Sequence, residues 1–264
     1  MNVVSLHDKN VIEAFLRRNV FLNIYSIGDL DDFFWPYTSW YACTETAELK
    51  AIALIYTGGK LPCLHSHAEN NKVLYAEKLL HRMIPTLPRR FHAHLSAGLE
   101  SILSEHYSLR AYGKHYKMAL TDKSVPSKVD TSQTIGLSKS QLSEIIGLFE
   151  QAYPGNYFEP RMLDTKQYFC LRHSGELIGI AGVHVFSRQY GVAALGNIVI
   201  HPDYRNKGNG TIVTAKVCQS LLRDIDHIGL NVNAGNVSAI KCYEKLGFEV
   251  VDSYGEFEAE LRLP

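Results

Sequence analysis

The chain has no excess of charge, no long apolar run and no paired cysteines, and each absence removes a class of protein. Its 27 basic and 27 acidic residues cancel, so there is no electrostatic footprint for nucleic acid or for an anionic membrane surface. No stretch approaches the roughly 20 apolar residues of a membrane-spanning helix. The start, Met1 to Asp8, lacks the basic flank and apolar core of a secretory signal, which makes the cytoplasm the expected compartment. The five cysteines, at 43, 63, 170, 218 and 242, form no Cys-x-x-Cys pair. That argues against a disulfide frame or a zinc knuckle, and for buried free thiols. Two nucleotide-binding strings are missing as well. A dinucleotide fingerprint needs a third glycine where Val213 stands, and no Gly-Lys-Ser/Thr string follows the glycines near 208.

What is present suffices for two compact domains, since 46% of the 264 residues are hydrophobic. Thr121 to Asp130 has little apolar content and a proline, the composition of a link. The sequence therefore divides into 1–122, a linker at 123–130, and 131–264.

The second part holds the most informative string. An apolar stretch ending at Ile200 runs through His201-Pro202 into Arg205-Asn206-Lys207-Gly208-Asn209-Gly210, and then into a segment with helical spacing at Ile212, Ala215, Cys218 and Leu222. Strand, glycine turn and helix in that order present bare backbone N–H groups at the positive end of a helix, which suits a phosphate. Gly208 and Gly210 permit positive φ and close approach of an anion, and Arg205 and Lys207 add mobile positive charge.

A second strand, Ile228 to Val232, leads into Asn236-Val237-Ser238-Ala239, with Tyr243 and Gly247-Phe248 downstream. Arg-x-x-Gly-x-Gly after a strand, followed by Asn-x-x-Ala-x-x-x-Tyr-x-x-x-Gly-Phe, resembles the GNAT acyltransferase superfamily, over residues 131–264. The resemblance implies an N-acyltransferase that moves an acyl group, most often acetyl, from acyl-CoA to a primary amine by direct attack in a ternary complex. It implies acetyl-CoA as co-substrate and no metal. It also implies that Ile198, Val199 and Ile200 pair with the pantetheine arm, and that Arg205, Asn206, Lys207, Gly208, Asn209, Gly210 and Thr211 hold the pyrophosphate. Asn236 then lies near the coenzyme arm and Tyr243 near the thioester sulfur, two turns apart on one helix. The acceptor is a small-molecule or peptide amine.

A tyrosine at 243 fits that chemistry, because a phenol of pKa near 10 can protonate a departing thiolate whose thiol has a pKa near 8.5. The general base is less legible. Leu195 to Ile200 carries no acid, and Asn197 can orient a water but cannot take a proton. His184 and Glu159 are the nearest titratable candidates. The missing acid leaves an alternative from another class, a non-catalytic acyl-CoA-binding or regulatory module.

The rest of 131–264 agrees. Ser138 and Gln141 form a capping box ahead of a stripe at Leu142, Ile145, Ile146 and Phe149. Tyr157, Phe158 and Glu159 precede a helix opened by Pro160, a region that forms one wall of the acceptor site in the family. Tyr168 to His173, Glu176 to Ser187 and Gly191 to Ile200 read as an antiparallel meander.

The first 120 residues alternate helix and strand: a helix around Val11, Phe15 and Leu16, strands near 40–44 and 49–57, a helix at 75–84, a strand at 91–95, a helix at 98–107 and a strand at 112–120. The last of these echo the order of 228–261, which suggests a degenerate GNAT-like half. The expected fold is thus α/β (α+β), tandem GNAT-like domains, each a mixed, mostly antiparallel twisted sheet flanked by helices. His65-Ser66-His67 and His92-Ala93-His94 each put two imidazoles on one face if extended, a spacing compatible with zinc. The sequence names no third ligand, and no metal is expected.

Overall fold

The computed structural model describes residues 2–68 and 73–262. In chain order the elements are β1 (Asn2–Leu6), α1 (Lys9–Leu16), α2 (Ile24–Gly28), β2 (Thr38–Glu45), β3 (Glu48–Tyr56), β4 (Cys63–Ser66), α3 (Val73–Met83), β5 (Arg90–Leu95), α4 (Glu100–Ser104), β6 (Tyr107–Leu120), β7 (Ile135–Gly136), α5 (Leu142–Ala152), β8 (Phe169–His173), β9 (Glu176–Ser187), β10 (Val192–Ile200), α6 (Asn209–Leu221), β11 (His227–Asn233), α7 (Val237–Glu244) and β12 (Phe248–Leu261). Two compact units result. The first is Met1–Lys117 with Asn233–Gly235 and Asp252–Pro264; the second is Met118–Val232 with Asn236–Val251. Each unit's own stretch runs strand, two helices, three strands, helix, strand, helix, strand, with the 3-10 turn Pro160–Thr165 as the second helix of the later copy. Among the described residues, no helix is long and apolar enough to cross a membrane.

In the first unit, β1 through β5 lie side by side in sequence order, antiparallel except for the parallel pair β4 and β5. Residues 255–260 of β12 run antiparallel along the other edge of β5. One face of this sheet is covered by α3 and α4. Leu64, Phe91, Ala93 and Leu95 meet Leu79, Leu80, Met83, Ile102 and Leu103 there, all buried, and burial of such side chains contributes about 1.5–3 kcal/mol each. Asp8 caps α1 by accepting from the amides of Asn10 and Val11. The helix buries Ile12, Phe15 and Leu16, whereas Val11, expected on that face, is 45% exposed. The helix expected at 98–107 stops at Ser104, because Tyr107 already belongs to β6 and buries its ring against Phe91.

In the second unit the neighbours run β7, β8, β9, β10, β11, and only β10 with β11 is parallel. The capping box forms, with Ser138 N donating to Gln141 Oε1 at 2.9 Å, but it opens a 3-10 turn at Lys139–Gln141 that leads into α5. The buried stripe of α5 is Ile145, Leu148 and Phe149. Ile146, expected in that stripe, is 40% exposed.

The stretch read as a linker belongs to the second unit and is fastened to α6. Gln219 Nε2 donates to Pro126 O at 2.8 Å and Val129 O at 3.0 Å, and its Oε1 accepts from Thr131 Oγ1 at 2.7 Å.

Candidate functional site

The central parallel pair of the second unit comes apart. β10 and β11 are in register only from Val192 opposite His227 to Leu195 opposite Leu230. At that point β10 acquires a bulge: its register with β9 jumps from Gly196 opposite Gly182 to Val199 opposite Ile180. Asn197 in the bulge has φ of +54°, a left-handed conformation that asparagine tolerates better than most residues. Bulges bend the strand that carries them. From Ile198 to Ile200, β10 therefore keeps β9 on one side and has no strand partner from β11 on the other. An extended, unpaired backbone edge of this kind can accept an added strand.

The loop after β10 is held open by its own side chains. Arg205 Nε donates to Ile200 O at 3.1 Å and its Nη2 to Ala152 O at 3.1 Å. Lys207 Nζ donates to Asp203 O at 3.0 Å, and Asn209 Nδ2 to Tyr204 O at 2.9 Å. The sequence suggested mobile charge at Arg205 and Lys207; both are instead tied to loop carbonyls, and the positive field sits in a fixed place. Gly208, with φ of +81°, is the N-cap of α6 and offers no side chain of its own. Among the described residues, no protein acceptor meets the main-chain N–H groups of Asn206, Lys207, Gly208, Asn209, Gly210 and Thr211. Six donors at the positive end of a helix of 13 residues make an anion cradle.

Residues 139–248 match the model of the acetyltransferase (GNAT) family. That stretch is a GNAT domain. Solved structures share the fold over nearly the whole chain. An acetyltransferase of the GNAT family from Colwellia psychrerythraea is 12% identical, with a TM-score of 0.57 and coverage of 99% of this chain and 100% of that one. A Drosophila protein is 11% identical, with a TM-score of 0.72 and 98% coverage of both chains. A tandem GNAT protein from the clavulanic acid biosynthesis pathway is 13% identical, with a TM-score of 0.53 and coverage of 100% and 99%. At these identities the likeness is one of fold. No curated protein sequence matches the chain at a significant level.

Within the GNAT domain, Asn236 caps α7 by accepting from Ala239 N at 3.1 Å. Tyr243, two turns on, is 7% exposed and packs its ring against Phe248 at 6.1 Å between centroids. Burial pushes its phenol above the usual value near 10, and the neighbouring Cys242, Tyr153 and Cys218 add to the rise. Its hydroxyl has no hydrogen-bond partner among the described residues. Cys242 points elsewhere, with its sulfur 3.4 Å from Thr211 Oγ1 at the start of α6.

The candidate bases occupy different settings. The His184 ring lies flat against Gly196, where a side chain on that residue would collide with it. Burial pushes this imidazole down to about 4, with the Asn197 side chain opposing the shift, so His184 is uncharged at neutral pH. Glu159 sits just before Pro160, partly exposed, and its carboxylate makes no hydrogen bond or ion pair among the described residues.

Between β9 and β10 lies a polar network that the sequence did not name. Asn197, 2% exposed, donates from Nδ2 to the Tyr168 hydroxyl at 2.9 Å, which donates to Val183 O at 2.7 Å. The Asn197 Oδ1 is buried and has no partner among the described residues. The available signal was Gly196-Asn197, the one break in an otherwise apolar strand.

Proposed function

We propose that the GNAT domain transfers an acyl group, in the first instance acetyl, from acyl-coenzyme A to a primary amine of a small molecule or peptide, by direct attack in a ternary complex. The observation that carries this reading is the conjunction of six unmet amides at 206–211 with the unpaired edge of β10 from Ile198 to Ile200. The first takes the diphosphate and the second takes the amide-bearing arm as an added strand.

The chemistry follows from that placement. The amine nitrogen forms a bond to the thioester carbon, giving a tetrahedral oxyanion. Collapse re-forms the carbonyl and breaks the carbon–sulfur bond, and Tyr243 gives its proton to the leaving thiolate. The proton lost by the amine goes to the solvent through His184 or Glu159, with Asn197 Oδ1 available to orient the nucleophile or a water.

Coenzyme A should raise the melting temperature, because a ligand at 100 times its Kd stabilises the native state by about 2.7 kcal/mol. An unchanged melting temperature at millimolar coenzyme would refute the cradle. Free-thiol release from acetyl-CoA across an amine library then identifies the acceptor. Coenzyme binding without thiol release on any amine would favour the non-catalytic alternative.

A further inference from the structure

The first unit carries a side-chain cluster that acyl transfer does not use. Period-two alternation turns Leu64, Ala93 and Leu95 into the core and leaves Cys63, His65, His92 and His94 on the opposite face. Parallel pairing sets His65 opposite His94. One donor atom each from Cys63, His65 and His94 lie within 4.8 Å of one another, and the two imidazole rings are 4.8 Å apart. Glu256 of β12 is the cross-strand partner of His94. Its Oε2 is 3.7 Å from His94 Nε2 and 3.3 Å from His115 Nε2, and it accepts from the Tyr254 hydroxyl at 3.3 Å.

Several donors there are unspent. Nδ1 of His94, Nδ1 of His92 and both ring nitrogens of His67 are buried without a hydrogen-bond partner among the described residues. Buried polar atoms are ordinarily satisfied, so this many orphans on one face point to something bound.

We propose that Cys63, His65, His94 and Glu256 form a structural zinc site. One thiolate, two imidazoles and one carboxylate are a borderline-soft, four-donor set, which suits zinc and is too poor in oxygen for magnesium or calcium. Zinc bonds of about 2.0–2.3 Å put tetrahedral donors roughly 3.5 Å apart. The Cys63, His65 and His94 donors, at most 4.8 Å apart, therefore need to close by about 1 Å, and the Glu256 carboxylate, 3.7 Å from His94 Nε2, turns toward them by side-chain rotation. Binding replaces the thiol proton, Cys–SH plus Zn²⁺ giving Cys–S–Zn plus H⁺, and the thiolate and carboxylate together cancel the charge of the ion. His115 and Tyr254 hold the Glu256 carboxylate from outside. Lys117 also faces this region, but its ammonium rests over the rings of Tyr254 at 4.9 Å and Tyr25 at 5.8 Å.

Cobalt titration of the full, chelator-treated chain tests the site. One equivalent should bind with a thiolate-to-cobalt charge-transfer band and the visible bands of a tetrahedral ion, and zinc should bleach both. Zinc should also raise the melting temperature, reversibly with chelator. Cys63→Ser should abolish the charge-transfer band, while Cys242→Ser should keep it. His94→Gln and Glu256→Gln should keep the band but weaken binding by at least the roughly 10–100-fold that loss of an outer-shell partner costs, which preserves the test if Cys63→Ser does not fold. No charge-transfer band in the unaltered chain, a band that survives in folded Cys63→Ser, or equal affinity in His94→Gln would each overturn the assignment.

Discussion

Tyr243→Phe removes one oxygen atom from the centre of the proposed reaction. The ring that packs on Phe248 stays, and the hydroxyl that leaves has no protein partner among the described residues. Stability should therefore change by no more than about 0.5 kcal/mol. Coenzyme binding should persist, because the diphosphate cradle and the β10 edge are untouched. The rate should not persist. General acid catalysis is worth about 100- to 10,000-fold, equivalent to roughly 2.7–5.5 kcal/mol of barrier, and turnover measured by thiol release at saturating acyl-CoA should fall within that range. The pH profile adds a second reading. Burial raises this phenol, so it stays protonated through its ordinary pKa near 10; an acid's contribution is lost as pH rises through its folded pKa. Unaltered enzyme should thus show no alkaline fall from Tyr243 below about pH 10. Turnover within threefold of the unaltered enzyme would refute the assignment, and equal loss of turnover and of the coenzyme-induced melting shift would show the residue to be structural.

Two further outcomes follow from the second unit. His184 is held down to about 4 against an unfolded value of 6.5, so the unfolded chain takes up the proton first; stability is fully present above 6.5 and is lost as pH falls toward 4. Between pH 7 and pH 5 the unaltered chain should lose about 2 kcal/mol more than His184→Gln in urea unfolding, and identical pH dependences would contradict the burial argument. Gln219→Ala removes three hydrogen bonds to the 126–131 segment and should cost about 2–3 kcal/mol, read as a lower melting temperature; a loss below 0.5 kcal/mol would mean the segment is not held there.

The readable parts of the fold were those where local pattern and tertiary packing agree. Glu176–Ser187 is apolar almost throughout and bounded by turn residues, and its limits were legible to the residue. β4 was not, because its four residues, Cys63–Ser66, are too few and too polar on one face to look like a strand without β3 and β5 beside them. Ile146 was placed on the buried side of α5 by spacing alone, yet the register that tertiary packing chose is set by Ile145, Leu148 and Phe149. At the site, the glycines announced the loop, but the seating of Arg205 on Ile200 O and Ala152 O depends on a residue far off in sequence. Cys63 and Glu256 are not legible in the sequence as neighbours of the histidine pairs for the same reason: they meet His94 across strands that only the folded sheet brings together.

The pairing of residues 255–260 with β5 has a consequence for biosynthesis. The unit that opens with β1 lacks one flank of its inner strand until residues 255–260 have left the ribosome, so it is completed only after the second unit's strands have been made. A fragment ending near 122 would leave that flank bare, and should stick to itself rather than behave as an independent half.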